Sequence, residues 1–266
     1  MGPVTRTVSI VTPVHAAAVE FLPAAFASLR TQELPAGWEW EWLVQVDGGD
    51  DADVPADICS DPRVDVSSGR RGGPGVARTL AWGRSRGELV KVLDADDVLP
   101  KGALARDIEV LDQNPSVGWT VCRVLDLMPD GSLQHYTLGD PEPGLLVRGE
   151  LYAYWTRTHR PMVHPASLCI RESLLAEIGG WMALPASEDT ALLMALDVMA
   201  DGWFIGEAGL HYRKHPGQTT AHPDHRGGTE WEARMGAIRK HADALALRHP
   251  KVNAPVNSNA SLKRSP

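Results

Sequence analysis

Val90–Pro100 reads VKVLDADDVLP, an apolar run that ends in three acids, Asp94, Asp96 and Asp97, within four positions. Carboxylates this close repel one another, and ionised groups are costly to hold at the end of a buried strand. A turn at a strand end lets alternate side chains converge, so Asp94 and Asp96 can reach one hard cation. Mg²⁺ and Mn²⁺ suit oxygen ligands and keep positions open for substrate phosphates. The competing explanation is helix capping, with Asp96 or Asp97 at the start of a helix near Pro100 and Lys101. Taken alone, the stretch supports both.

Working outward, strand and helix signals alternate through the first half. Val8 to Val11 is a β-branched run stopped at Thr12-Pro13, and Phe21 to Thr31 carries helical spacing through Phe21, Ala25, Phe26 and Leu29. Trp42 to Val46 predicts a second strand, Val64 to Val66 a third and Leu89 to Leu93 a fourth, with helices over Gly73 to Arg86 and Lys101 to Leu111. That βαβαβ order implies a parallel sheet covered by helices, in which ligands bind beyond the carboxyl ends of strands. Asp47 and the acids at 94 to 97 lie at such ends. Further on, Trp119 to Leu127 and Gln134 to Leu138 flank the turn signal Pro129–Gly131 and predict a hairpin. Ala166 to Ile170 reads as a strand, and Glu172 to Ile178, Glu188 to Ala200 and Trp231 to Arg248 as helices. The polar tail after Pro250 reads as disordered.

Composition narrows the class. A chain of 266 residues, 43 % hydrophobic and 23 % charged, can bury a sizeable core. A net charge of −8 argues against general nucleic-acid binding, which needs a basic face. Cys59, Cys122 and Cys169 are odd in number and lack C-x-x-C pairing, so a disulfide framework or zinc site is not expected. The start, MGPVTRTVSIVTP, enters a strand-like run without a signal pattern, and no stretch approaches the roughly 18 apolar residues of a membrane span. The expectation is a soluble cytoplasmic protein without a membrane span.

Four further segments carry candidate chemistry. DGGDDAD (47–53) follows the second strand; its acids suit a solvated turn, but Asp47, nearest the strand end, can accept hydrogen bonds from a base or ribose. RRGGPGVARTLAWGRSRGE (70–88) leaves backbone N–H groups open before a helix, near Arg70, Arg71 and Arg78, an arrangement able to hold an anion. It matches neither a P-loop nor G-x-G-x-x-G. In PASEDTALLMAL (185–196) acids at a helix start are favoured by the dipole alone, while the preceding bend can present one to a cleft as a general base. HYRKHPGQTT (211–220) clusters basic residues and histidines, candidate partners of phosphate or metal.

Taken in order, residues 7 to about 220 resemble the inverting nucleotide-sugar glycosyltransferases of family 2, which have the GT-A fold. VSIVTPVHAAAVEFL is similar to that family's opening strand and V-x-I-P-x-Y-N segment, and VQVDGGDD to its D-D-G-S-x-D turn. GGPGVARTLAWGRSRGELVKVLDADDVL resembles its G-x-x-x-A-R-N…L-D-x-D-D stretch. HPASLCIRESLLAEIGGW with SEDTALLMAL resembles its acceptor-side segment and E-D motif, and YRKHPGQTT its Y-R-x-H-x-x-S-x-S ending.

The resemblance implies an α/β protein with a mixed, mainly parallel central sheet flanked by helices. It divides the chain into a catalytic domain over 1–220 (nucleotide-binding half 1–100, acceptor-side half 101–220), a helical extension over 221–250 and a tail over 251–266. It implies a nucleotide-diphosphate sugar as donor, a UDP-sugar being favoured, an acceptor hydroxyl, and Mn²⁺ or Mg²⁺ as cofactor. Thr12, Pro13 and His15 would line the nucleotide pocket and Asp47 would contact the base. Arg78 would lie near the sugar or diphosphate. Asp94 would hold the ribose or an ordered water, and Asp96 would ligate the metal. Asp189 would be the general base supported by Glu188, and His215 would meet the metal or the diphosphate. His15 stands where the family has Tyr or Phe stacked on the base, and Val46, Gly49 and Thr79 replace its Asp, Ser and Asn; the metal and general-base positions are retained.

Residues 129 to 163 and the terminal helix are expected to shape the acceptor site, with Trp155, His159 and His164 as candidates and core packing as the competing explanation. Two other functions are consistent with parts of the sequence. LDADDVL also fits the D-x-D-x-[TV] nucleophile loop of haloacid-dehalogenase-type phosphatases, although that loop lies on the first core strand and others precede it here. A nucleotide-sugar-binding module without catalysis would need Asp96 but not Asp189.

Overall fold

The computed structural model describes residues 5–50, 53–135, 139–218 and 226–249. Asp51, the end of the expected hairpin strand at 136–138, Thr219-Thr220 and the expected tail over 251–266 lie outside the described residues.

The chain runs β1 (Arg6–Val14), α1 (Leu22–Arg30), β2 (Trp38–Asp47), α2 (Ala56–Cys59), β3 (Val64–Gly69), α3 (Pro74–Trp82), β4 (Leu89–Val92) and α4 (Ala103–Gln113). It continues through β5 (Val117–Leu127), β6 (Leu133–His135), β7 (Gly144–Leu146), α5 (Glu150–Thr158), β8 (Cys169–Arg171), α6 (Glu172–Ile178), α7 (Glu188–Met199), β9 (Asp201–Arg213) and α8 (Gly228–Arg248). Among the described residues the strands form one sheet in the order β3-β2-β1-β4-β8-β5-β9-β7, with β6 paired to β5. Pairing is parallel across β3, β2, β1 and β4, as the βαβαβ pattern requires. Beyond β4 the sheet is mixed: β8 is antiparallel to β4 and β5, β9 runs parallel to β5, and β7 is antiparallel to β9.

Alternation along each strand separates two cores. Val8 and Ile10 of β1, with Trp40, Trp42, Val44 and Val46 of β2, pack on Leu22, Phe26 and Leu29 of α1 and Leu104, Ile108 and Leu111 of α4. Val11, Leu43, Val90 and Val92 face the other way, toward α5, α6, α7 and α8. α7 is apolar all round, with Leu192, Leu193, Met194, Ala195 and Leu196 each at most 1 % exposed, as expected of a helix sandwiched between sheet and α8.

One polar residue of the opening stretch is buried completely. The Lys91 ammonium, on the α1/α4 side of β4, donates to Asp107 Oδ2 of α4 and to the Ser167 carbonyl, both at 2.7 Å, and Thr120 Oγ1 donates to Asp107 Oδ1. Burial is the largest influence and opposes the charge, but the attraction of Asp107, its hydrogen bond and the neighbouring Cys122 and Cys169 together hold the lysine pKa above its ordinary value. This pair ties β4, β5 and α4 together beneath the acids.

Candidate active site

The acids sit at the carboxyl ends of strands, Asp47 as the last residue of β2 and Asp94, Asp96 and Asp97 just beyond β4. An antiparallel bridge between Val98 and His211 closes the loop after β4 against β9 and brings the basic end of β9 beside the carboxylates.

Each acid of the cluster has its own partner. Asp94 Oδ1 accepts from Arg78 Nη2 at 2.5 Å. Asp96 Oδ2 and His215 Nε2 lie 2.9 Å apart. Asp97 Oδ1 accepts from the Arg213 backbone N–H at 2.9 Å, while its Oδ2 is buried with no hydrogen-bond partner among the described residues. The capping alternative is thereby corrected. Helix α4 begins after Gly102 with no side-chain cap, because Asp97 is drawn under β9 instead. Burial, followed by the charge of Asp94, raises the pKa of Asp96 against the opposing effect of His215. Burial and the charges of Asp96 and Asp94 raise Asp97 well above the ordinary carboxylate range.

Arg78, on α3, is the hub. It is 3 % exposed and donates Nη1 to Glu188 Oε1 at 2.6 Å while Nη2 holds Asp94. Its planar fork spans two carboxylates that are 94 positions apart in the chain, a geometry that Lys cannot reproduce. The guanidinium is therefore a buried bridge between the two carboxylates. Burial favours its neutral form, but the charges of Asp94, Glu188 and Asp189 outweigh that and raise its pKa. The start of α3 needs a small residue here: a Cβ on Gly75 would sit 2.6 Å from the Met182 carbonyl oxygen and 3.1 Å from Glu188 Cγ.

Glu188 and Asp189 open α7 after Ser187, which adopts a left-handed conformation with φ of 64°. Glu188 is buried; Asp189 is half-buried and accepts from the Thr190 N–H at 2.6 Å. Burial raises both carboxyls above their ordinary pKa, with Arg78 pulling in the opposite direction.

At the end of β2, Asp47 accepts from the N–H groups of Gly72 and Gly73, at 2.6 Å and 3.0 Å, and so anchors the loop before α3. Thr12 is fully buried; its hydroxyl donates to the Leu93 carbonyl and accepts from Trp42 Nε1, both at 2.7 Å. Pro13 is half-buried and His15 exposed, so these two bring open surface to the end of β1.

Of the acceptor candidates, Trp155 is a core residue with 0 % exposure, so packing accounts for it. His159 is half-buried between the rings of Trp155 and Trp231, with centroids 5.4 Å from each. His164 packs on Tyr212 at 4.7 Å, and burial lowers its pKa to about 4 although Asp94 opposes the shift. The contact of Phe21 with this basic cluster was not read from the sequence. Phe21, assigned to a helix face, ends the 3₁₀ turn before α1, with its ring centroid 4.8 Å from that of His215 and 5.3 Å from the Arg213 guanidinium carbon. Arg213 Nε also donates to the Asp96 carbonyl at 2.8 Å. An aromatic residue 194 positions before His215 gives no local signal of its contact with that ring.

Among the described residues no three His, Cys, Asp or Glu side chains gather into a metal cage, and no helix is long and apolar enough to cross a membrane.

Comparison with known proteins places this arrangement. The family model described as "Glycosyl transferase family 2" matches residues 9–179. No curated protein matches. Among solved structures, S. aureus TarS 1-349 in complex with UDP-GlcNAc is similar with a TM-score of 0.70 and 19 % identity, over 91 % of this chain and 71 % of that one. The same TarS segment in complex with UDP gives a TM-score of 0.68 and 18 % identity, over 92 % of this chain and 66 % of that one. The longer S. aureus TarS gives 0.65 and 18 %, over 97 % of this chain but 46 % of its own length. These likenesses bear on the fold, and the family model covers well over half the sequence. The chain belongs to glycosyl transferase family 2, a family of glycosyltransferases, and has the GT-A fold.

Proposed function

We propose that this protein is a metal-dependent inverting glycosyltransferase that moves a sugar from a UDP-sugar to an acceptor hydroxyl. The observation that carries the proposal is the Arg78 bridge, which joins Asp94 at the strand end to Glu188 beside Asp189. One cation thus couples the side where a donor diphosphate would lie to the side where a base would act. The UDP and UDP-GlcNAc in complex with TarS favour a uridine donor.

The donor set fits a divalent ion. Asp96 Oδ2 and His215 Nε2 lie 2.9 Å apart, near enough for both to reach one ion, and Mg²⁺ or Mn²⁺ characteristically takes one or two protein ligands and completes its shell with phosphate oxygens and water. When bound, such an ion neutralises charge developing on a leaving diphosphate. The protein's own residues do the rest. Arg213, held across Asp96 and Phe21, adds fixed positive charge beside the leaving group. Asp47 holds the Gly72-Gly73 loop against the end of β2, where the base would rest. Asp189 takes the acceptor proton as the acceptor oxygen attacks the anomeric carbon from the face opposite the diphosphate, which inverts the configuration. We take residues 1–220 as the catalytic unit and 221–250 as an extension whose helix α8 joins the same core through Met235, Ile238, Ala242 and Leu245.

A thermal-shift panel of UDP, GDP, dTDP and CDP with and without Mn²⁺ tests the donor. UDP with Mn²⁺ should raise the melting temperature most, and at 100 times the dissociation constant the stabilisation is about 2.7 kcal/mol. The absence of a metal-dependent rise with any of the four would sink the proposal. The pH profile of kcat supplies a second check. A base must be deprotonated, so activity is present above the pKa of Asp189 and is lost as pH falls through it. Because burial raises that pKa, the acid limb should lie above the roughly 3.9 of an ordinary Asp. A limb at or below that value contradicts the assignment.

A further inference from the structure

We infer that Phe21 is a positioning residue for His215, holding the imidazole in place when a divalent ion enters beside Asp96; this rests on the proposed metal role of that pair. Phe21 closes the 3₁₀ turn that follows β1 and is the last residue before α1, in right-handed helical backbone with φ of −89° and ψ of −19°. Leu22, fully buried, and Pro23 come next, so the ring stands on a fixed helix start. Phe21 is half-buried and packs on the α1/α4 core. Its ring also meets two residues from the end of β9. The centroid is 4.8 Å from that of His215, with the planes at 41°, and 5.3 Å from the Arg213 guanidinium carbon.

The imidazole is held by a polar tether and by packing. The tether is the hydrogen bond between His215 Nε2 and Asp96 Oδ2. An ion held by both atoms needs the lone pairs which that bond now uses, so the tether is given up on binding. The contact with Phe21 uses no lone pair and persists through the exchange. On the Nδ1 side the chain itself closes in: a Cβ on Gly217 would sit 3.3 Å from Nδ1, and Gln218 Nε2 donates back to the Arg213 carbonyl at 2.7 Å. Arg213 is held in a similar way, by Nε on the Asp96 carbonyl and by its cation over the Phe21 ring. A leucine at position 21 would fill the core about as well. It offers neither a flat face to the imidazole nor a negative face to the guanidinium. The turn after β1 thereby fixes the side chains at the end of β9.

The test uses the full chain with Mn²⁺ and UDP as probes. Phe21→Leu should raise the dissociation constant of Mn²⁺, titrated in the presence of UDP, about fivefold, within the range a ring pair contributes. Phe21→Tyr should restore most of that affinity. In a His215→Ala background, Phe21→Leu should have no further effect on Mn²⁺ binding, because the two residues act through one contact. A purely structural role for Phe21 would weaken binding equally in both backgrounds. Relaxation of the His215 ring carbons in the metal-free protein gives a readout independent of the ion. In Asp96→Ala, which lacks the tether, the ring should stay ordered; adding Phe21→Leu should release it, its order parameter falling below about 0.6. Mn²⁺ affinity within about twofold of wild type in Phe21→Leu, an equal loss in the His215→Ala background, or a ring that stays ordered in the double variant would each overturn the inference. If Phe21→Leu fails to fold, Phe21→Met decides by the same criteria. A wild-type protein that binds no Mn²⁺ with UDP, while ring order responds as stated, leaves the positioning role standing and removes the metal role of Asp96 and His215.

Discussion

Replacing Asp189 with Asn is expected to lower turnover of a UDP-sugar by about 10²- to 10⁴-fold, the range lost with a general base. The amide keeps the shape of the side chain and can still accept from the Thr190 N–H that now holds Oδ1 at 2.6 Å, so the start of α7 should survive. It cannot take a proton. The proposed nucleotide pocket is at the ends of β1, β2 and β4 and Asp189 is on α7, so affinity for UDP measured by titration should remain near that of the wild type. Turnover near the wild-type rate with unchanged UDP affinity would show that another group is the base. Glu188, already held by Arg78 and more deeply buried, is a poorer candidate because its charge is committed.

Replacing Arg78 with Met should damage stability and activity together. Two carboxylates, Asp94 and Glu188, lose their shared cation, and at least Glu188 has no solvent to turn to. Breaking a buried pair by removing one partner costs about 3–5 kcal/mol, readable as a lower urea midpoint with unchanged slope. The surviving carboxylates would respond by binding protons. Glu188 and Asp189 are already raised by burial with Arg78 opposing the shift, so losing that opposition raises them further. The acid limb of kcat should move to higher pH in the same variant. Arg78→Lys should fall between Met and wild type, because an ammonium restores charge without the two-pronged reach. A loss below about 1 kcal/mol in Arg78→Met, the scale of an exposed ion pair, would mean that the bridge is not buried in solution.

Much of the fold is legible in local patterns. The βαβαβ half follows from β-branched runs bounded by turns, and residues 172–178 are helical as their spacing and closing Gly179-Gly180 require. Several elements escaped, among them β9, α5 and β7. β9 is interrupted by Gly206 and Gly209, which break the strand signal; a Cβ on Gly209 would sit 2.5 Å from Cys122 Sγ, so close approach to β5 excludes a side chain there. α5 begins after Gly149 with no capping side chain, so it lacks a start signal. β7 is three residues long and exists through pairing with β9.

The candidate site divides along the same line. By itself the sequence placed Asp47, Asp94 and Asp96 at strand ends on one edge of an α/β sheet, because strand ends are read from neighbouring residues, while the Glu188-Asp189 pair was joined to that edge only by the resemblance to the family. Tertiary structure alone decided how VKVLDADDVLP tolerates its charges. Arg78 takes Asp94, His215 takes Asp96, and the Arg213 N–H with burial takes Asp97 out of the capping role. The last two partners lie more than a hundred positions downstream. Arg78, on the preceding helix, reaches Glu188 only because α3 and α7 pack at Gly75. Opposite charges lower each other's energy according to distance in space, and a sequence records only distance along the chain.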